Sequence, residues 1–385
     1  MRVLHIGAGN LYGGVETLLF TLARYRHLCP NMTPEFALCF DGRVESELIG
    51  QGVSFHELGE VRIRYPLSVW RARRRLREIL VSCRFDAVVC HGIWPQVIFG
   101  PTVRRAGTPL VFWAHNMVDG RHWLERWARQ TKPQLIVCNS RFTERTLSTL
   151  YPGVKTEVVY NPVASPGSVE PGTREAVRGE LDTAAEAVVI VQVSRLEEWK
   201  GHRTLLNGLG LLRDVPGWTC WIVGGAQRAR EAPYLDSLKS LVTELQIGDR
   251  IRFVGQRTDV PRLLAAADVF CQPNSGPEPF GIVFVEALYA GLPVVATPIG
   301  GVQEIVDGSC GRLVPSADVG ALRDALAELI GCSRMRQRLG SRGPARAGGL
   351  CDPKQQLLRM QKVLSSFEAN AGKCGGPEVD QAFVS

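Results

Sequence analysis

No apolar run in these 385 residues approaches the ~18 residues that a membrane-spanning helix needs. The opening MRVLHIGAG is too short and wrongly ended for a secretory leader, so the chain is expected to stay in the cytoplasm. Paired cysteines are missing as well. The eleven cysteines are an odd number with no C-x-x-C, and most sit in apolar segments such as DAVVC, LIVCN and DVFCQP. They read as buried free thiols, and neither a disulfide nor a zinc site is expected. An intact G-x-G-x-x-G is also absent, because Tyr12 stands where the third glycine belongs; the glycines present are Gly7, Gly9, Gly13 and Gly14. Asp41, the nearest acid at a second strand end, lies beyond the usual ~20 residues. A nicotinamide or flavin dinucleotide is therefore disfavoured.

What remains is a globular chain with 45% apolar and 22% charged residues, too long for one ordinary core and suited to two domains. Its net charge of +7 is unevenly placed. Residues 1–163 hold 21 Lys or Arg against 13 Asp or Glu, and the remainder holds 24 against 25. The basic half points to an anionic partner there, a membrane surface or a lipid phosphate. Residues 67–83, LSVWRARRRLREILVSC, form a candidate amphipathic helix. Val69, Ala72, Leu76, Ile79, Leu80 and Cys83 share one face, and Arg71, Arg74, Arg75 and Glu78 lie mostly opposite. That face is either a solvated surface or a dock for an anionic membrane, with Trp70 at the interface. Nucleic acid is disfavoured, because no binding motif or interleaved aromatics accompany the charge.

Short apolar runs alternate with helical stretches throughout. RVLHI, EFALCF, VSFHEL, DAVVCH, PLVFWAH, QLIVCN and TEVVY occupy the first half; AVVIVQV, WTCWIVGG, RIRFVG, DVFCQP and PVVAT the second. This rhythm predicts an α/β chain with mostly parallel, doubly wound sheets. Between the halves lies ASPGSVEPGTREA, the best linker candidate.

The chain is organised around residues 268–297, DVFCQPNSGPEPFGIVFVEALYAGLPVVAT, which read as strand, loop, helix, strand. The loop should lie above the carboxyl end of its strand, where open α/β sheets bind ligands. The free N–H groups around Gly281, Ile282 and Val283 at the helix start offer an anion site. Glu278 stands in the loop and Glu286 about one turn into the helix. Elsewhere, Arg195 and Lys200 flank a turn before a helix starting about Gly201, and His91 and His115 each follow an apolar strand. Any of these could be an ordinary structural residue taken alone.

Together, PEPFGIVFVEALYAGLPVVAT followed by GGVQEIVDGSCGRLVP resembles the signature of glycosyltransferase family 4, retaining enzymes of two-domain GT-B architecture. The resemblance extends to the N-terminal G-G-x-E at Gly13, Gly14 and Glu16, and to R-L-x-x-x-K-G-H at Arg195 and Lys200, where Ser194 replaces the family's usual glycine. It implies two Rossmann-like doubly wound domains facing a central cleft. The expected division is 1–164 for the acceptor-side domain, 165–180 for a linker and 181–350 for the nucleotide-sugar domain, with a terminal helix at 351–368 packing back on the first domain and a disordered tail at 369–385. It implies that Gly13 and Gly14 approach the donor phosphate, that Arg195 and Lys200 clamp the diphosphate with Gly281, Ile282 and Val283, and that Glu286 holds the ribose. Glu278 would bind sugar hydroxyls and His115 would steady the sugar near the reacting centre; His91 stays unassigned.

The expected activity is retaining transfer of a sugar from a nucleotide-diphosphate sugar to a glycan or lipid-linked acceptor, in bacterial surface polysaccharide or glycolipid synthesis. No D-x-D occurs, so the leaving diphosphate is expected to be neutralised without a metal and no cofactor is expected. The alternatives are a GT-B sugar-nucleotide epimerase and a non-catalytic sugar-nucleotide binder. Peripheral contact with the inner face of the cell membrane would use the basic N-terminal domain.

Overall fold

The computed structural model describes residues 1–9, 13–167, 169–226 and 231–365. The chain packs as two compact units: Met1–Cys138 with Thr146–Val159 and Pro353–Ser385, and Asn139–Arg145 with Tyr160–Asp352.

The first unit is a seven-stranded sheet of β1 (Arg2–Gly7), β2 (Thr33–Leu38), β3 (Phe55–Glu57), β4 (Ala87–His91), β5 (Leu110–Ala114), β6 (Leu135–Cys138) and β7 (Thr156–Val158). The order is β3-β2-β1-β4-β5-β6-β7, with every pairing parallel. Parallel strands need helical crossovers, which cover both faces and make the strands apolar throughout; β4 and β5 are buried at every residue. Side chains alternate with the pleat. Val3, Val89, Val111 and Trp113 enter one core layer, and Leu4, Ile6, Val88 and Cys90 the other. The terminal helix Pro353–Leu364 completes the first layer with Leu357, Met360 and Leu364. Residues 369–385, expected to be a disordered tail, lie outside the described residues.

The helix expected at 67–83 is Pro66–Ser82, with Ala72 and Leu76 buried and Val69, Ile79, Leu80 and Cys83 half-buried against the second layer. Trp70 stays 58% exposed. No helix among the described residues is long and apolar enough to cross a membrane.

The second unit is a six-stranded sheet of β8 (Val188–Val193), β9 (Trp218–Val223), β10 (Ile251–Gly255), β11 (Val269–Gln272), β12 (Val294–Ala296) and β13 (Gly311–Leu313). Its order is β10-β9-β8-β11-β12-β13, again parallel throughout. The stretch 165–180 differs from the expected linker. Its second half, Thr173–Glu180, is a helix with Val177 and Arg178 buried. The reason is Arg178, whose Nη2 donates to Asp268 Oδ2 at 2.6 Å while its other nitrogens cap the carbonyls of Ala185, Ala187 and Ala266. A buried guanidinium bonded to a carboxylate and several carbonyls, that of Ala184 included, ties the helix to the sheet.

Both sheets reverse their winding once, between β1 and β4 in the first unit and between β8 and β11 in the second. Adjacent crossovers there leave the sheet in opposite directions and open a crevice at the carboxyl ends of the strands. That is where the candidate residues fall.

Candidate active site

In the second unit the chain leaves β8 at Val193, passes Arg195 and makes a short turn at Glu198–Lys200 before the helix His202–Gly210. Gly201 links turn to helix at φ 79°, and a Cβ there would sit 1.9 Å from Pro273 O. Only glycine lets the two segments close up, and their closure seats Lys200 beside the loop after β11. Its Nζ donates to Glu278 Oε2 at 2.6 Å, with Lys200 9% and Glu278 7% exposed. A charged pair this enclosed survives only with further hydrogen bonds. Asn274 Nδ2 supplies one to the same oxygen at 3.2 Å, and Asn274 is itself held by Gln272 Nε2 and by Thr297 Oγ1. The Nζ also lies 4.0 Å from the centre of the Trp199 ring.

Glu278 is fixed through its backbone too. It bridges Gly300, and Gly301 N donates to Glu278 O at 2.7 Å. A Cβ on Gly300 would meet Glu278 O at 2.2 Å, so the paired glycines after β12 exist to admit this loop. The helix that follows is Ile282–Tyr289, with Gly281 as its N-cap and no side-chain cap. Its first N–H groups are therefore free of side-chain acceptors. Burial pushes the Glu286 carboxyl up to about 7, and no side-chain partner of Glu286 is present among the described residues. Arg195 behaves differently: it is half-exposed and its Nη2 pairs with Glu197 Oε2 at 3.1 Å.

In the first unit, β1 ends at Gly7 and the helix Gly14–Arg24 begins beyond Gly13, whose carbonyl accepts Thr17 N at 3.0 Å. Tyr12, the residue that breaks the dinucleotide pattern, lies outside the described residues. His115 follows β5, is 7% exposed and stacks on Trp113. Its Nε2 lies 3.0 Å from His91 Nδ1, and His91 Nε2 lies 2.9 Å from His5 Nδ1. Burial lowers His5 and His115 to about 3 and, with its two neighbours, pushes His91 well down, so all three rings are neutral at working pH.

The structure thus brings Lys200 to Glu278, and His91 to His115. It leaves Arg195 on a neighbouring carboxylate. Reading the sequence missed His5, Gln272 and Asn274. An apolar strand with one polar residue near its end, as in RVLHI and VFCQ, was the available signal.

Two family models match in succession. One describes glycosyltransferase family 4, over residues 12–165, and one describes glycosyl transferases group 1, over residues 173–346. A lipopolysaccharide core biosynthesis glycosyltransferase, LpsE of Rhizobium meliloti, is 35% identical over 167 residues, which are 43% of this chain and 46% of that protein. A GDP-mannose-dependent alpha-(1-6)-phosphatidylinositol monomannoside mannosyltransferase of Mycolicibacterium smegmatis is 29% identical over 297 residues, 70% of this chain and 73% of that one. The match spans about half or less of the length of the first curated relatives. Among solved structures, Anabaena HepE in complex with UDP-glucose superposes with a TM-score of 0.84 at 25% identity, covering 95% of this chain and all of that one. Two Rossmann-like parallel sheets, the motifs at their switch points and these matches agree: the chain belongs to the family 4, group 1 glycosyltransferases of GT-B fold.

Proposed function

We propose that this protein transfers a sugar from a nucleotide-diphosphate sugar to a glycan or lipid-linked acceptor, with retention of configuration and without a metal. The observation that carries this reading is the buried Lys200–Glu278 pair at the switch point of the second sheet. As the anomeric bond breaks, charge collects on the β-phosphate and must be neutralised. Lys200, Arg195 once released from Glu197, and the N–H groups from Gly281 to Val283 supply that positive field. Glu278 then holds sugar hydroxyls, Glu286 the ribose, and Gly13 and Gly14 approach the donor phosphate from the first unit. The leaving phosphate helps to take the acceptor proton on the face it has just left, with His115 steadying the sugar.

The donor class draws on HepE, solved with UDP and with UDP-glucose, and on the GDP-mannose dependence in the name of the M. smegmatis relative. The acceptor class draws on the lipopolysaccharide core named for LpsE. The basic helix Pro66–Ser82 with its exposed Trp70 suits an anionic membrane surface at the inner face of the cell membrane. Lys200→Ala and Arg195→Ala should each lower kcat by about 10² to 10³ with the fold intact by circular dichroism, and EDTA should leave the wild type unchanged. Undiminished turnover in folded Lys200→Ala, or loss of activity in EDTA, would overturn the assignment.

A further inference from the structure

Trp199 reaches both cations of the site after β8, Lys200 directly and Arg195 through Glu197. Its backbone carbonyl accepts Ser275 N at 2.9 Å, and a Cβ on Gly276 would stand 3.1 Å from Trp199 Cβ. The turn Glu198–Lys200 therefore lies directly on the loop that carries Glu278. At the far end of the side chain, Nε1 donates to Glu197 Oε2 at 3.0 Å, the same oxygen that pairs with Arg195. With the backbone and the ring edge both tied down, the plane of the indole is fixed. The Lys200 ammonium lies over that plane, 4.0 Å from the ring centre.

An ammonium has three N–H donors and no acceptor. Glu278 Oε2 takes one of them at 2.6 Å, and the negative face of the indole draws the cation from another side. No other acceptor among the described residues bonds to Nζ. A lysine head on its flexible four-carbon stem would otherwise sample many positions. Held between a carboxylate and a ring, it has one direction left. The two restraints also differ in kind: Glu278 cancels charge, whereas the indole attracts the cation without carrying a charge of its own.

From this geometry we propose that Trp199 is a positioning residue for the diphosphate of the donor, its ring holding the Lys200 ammonium so that an N–H not taken by Glu278 already faces the phosphate oxygens. Such preorganisation raises affinity because the ordering cost is met before the ligand arrives. The contact persists in the complex, so weakening the ring's hold weakens phosphate binding. A ring that stored the lysine away from the phosphate would have the opposite effect. The inference rests on the reading of Lys200 as a diphosphate ligand given above.

Titration calorimetry of the full chain with inorganic pyrophosphate, in EDTA, tests it. Tryptophan analogues bearing successively more fluorine, inserted at position 199 alone, keep the ring and its N–H while drawing electron density from the ring face. The dissociation constant should rise stepwise along the series, by about tenfold in all, within the range of a desolvated cation–π contact. Trp199→Phe, which keeps a face under Nζ, should bind within about threefold of wild type, and Trp199→Leu about tenfold more weakly. A flat fluorine series, tighter binding on fluorination, or equal weakening by Phe and Leu would overturn the proposal. The fluorinated chains keep the shape of the site, so the series decides even where the leucine variant misfolds. Wild-type pyrophosphate affinity in Lys200→Ala, or no binding by the wild type, would instead remove the reading of Lys200 and this inference with it.

Discussion

Glutamine at position 286 should abolish a proton release that otherwise accompanies donor binding. Burial lifts the Glu286 carboxyl from its ordinary 4.5 to about 7, so near neutral pH the free protein holds it half protonated. Ribose hydroxyls donating to it would favour the charged form and lower its pKa in the complex. Binding at pH 7 then expels about half a proton, and affinity rises by up to about tenfold, or ~1.4 kcal/mol, from pH 6 to pH 8. Titration calorimetry in two buffers of different ionisation enthalpy measures the proton directly. A sugar nucleotide is the proper ligand, because a free nucleoside diphosphate has a terminal phosphate that itself titrates near pH 6. The same carboxyl affects stability. Its folded pKa exceeds the unfolded one, so protonation stabilises the fold fully below about 4.5 and that contribution is lost as pH rises through about 7. Glu286→Gln should flatten the slope, by at most about 3 kcal/mol across that window. Wild-type binding with no proton exchange, or equal release in Glu286→Gln, would refute the placement of Glu286 at the ribose.

Two further outcomes concern the scaffold beneath the site. Gly300→Ala adds a Cβ 2.2 Å from Glu278 O at a φ of 81°, so the loop after β11 must move. A loss of about 1–3 kcal/mol in thermal or urea unfolding is expected, with donor binding weakened together; unchanged binding would show that Glu278 is not held by this contact. Arg178→Met leaves Asp268 with Arg174 as its remaining ion-pair partner and strips the carbonyls of Ala185 and Ala187 of a donor. Urea denaturation should register a loss of about 3 kcal/mol, and a shift under 1 kcal/mol would mean that water replaces the guanidinium.

The sequence alone determined a good deal. Apolar runs bounded by Gly and Pro located the strands, because a strand covered on both faces has no polar side to blur its pattern. RVLHI became β1, and IVFVEALYAG became the helix Ile282–Tyr289 with its stop at Gly291. Strand ends are local features, so Lys200, Glu278 and His115 could be placed at the carboxyl edges of their sheets from spacing and turn residues. Residues 165–180 misled for an equally local reason: Pro166, Gly167, Pro171 and Gly172 mark a linker, but Arg178 finds Asp268 ninety residues away.

Tertiary structure decided what depends on register between strands far apart in the chain. Whether Lys200 meets Glu278 turns on β8 lying beside β11, with Gly201 against Pro273, and no spacing within either segment contains that fact. Arg195 stands in the same motif as Lys200, yet only the fold shows it turned to Glu197. His5, His91 and His115 are separated by 86 and 24 residues and touch because the sheet order is β1-β4-β5 and each histidine stands one pleat repeat beyond the residue that pairs with the one before it. In a different register the same three residues would stand beside other side chains and their ring nitrogens would not meet.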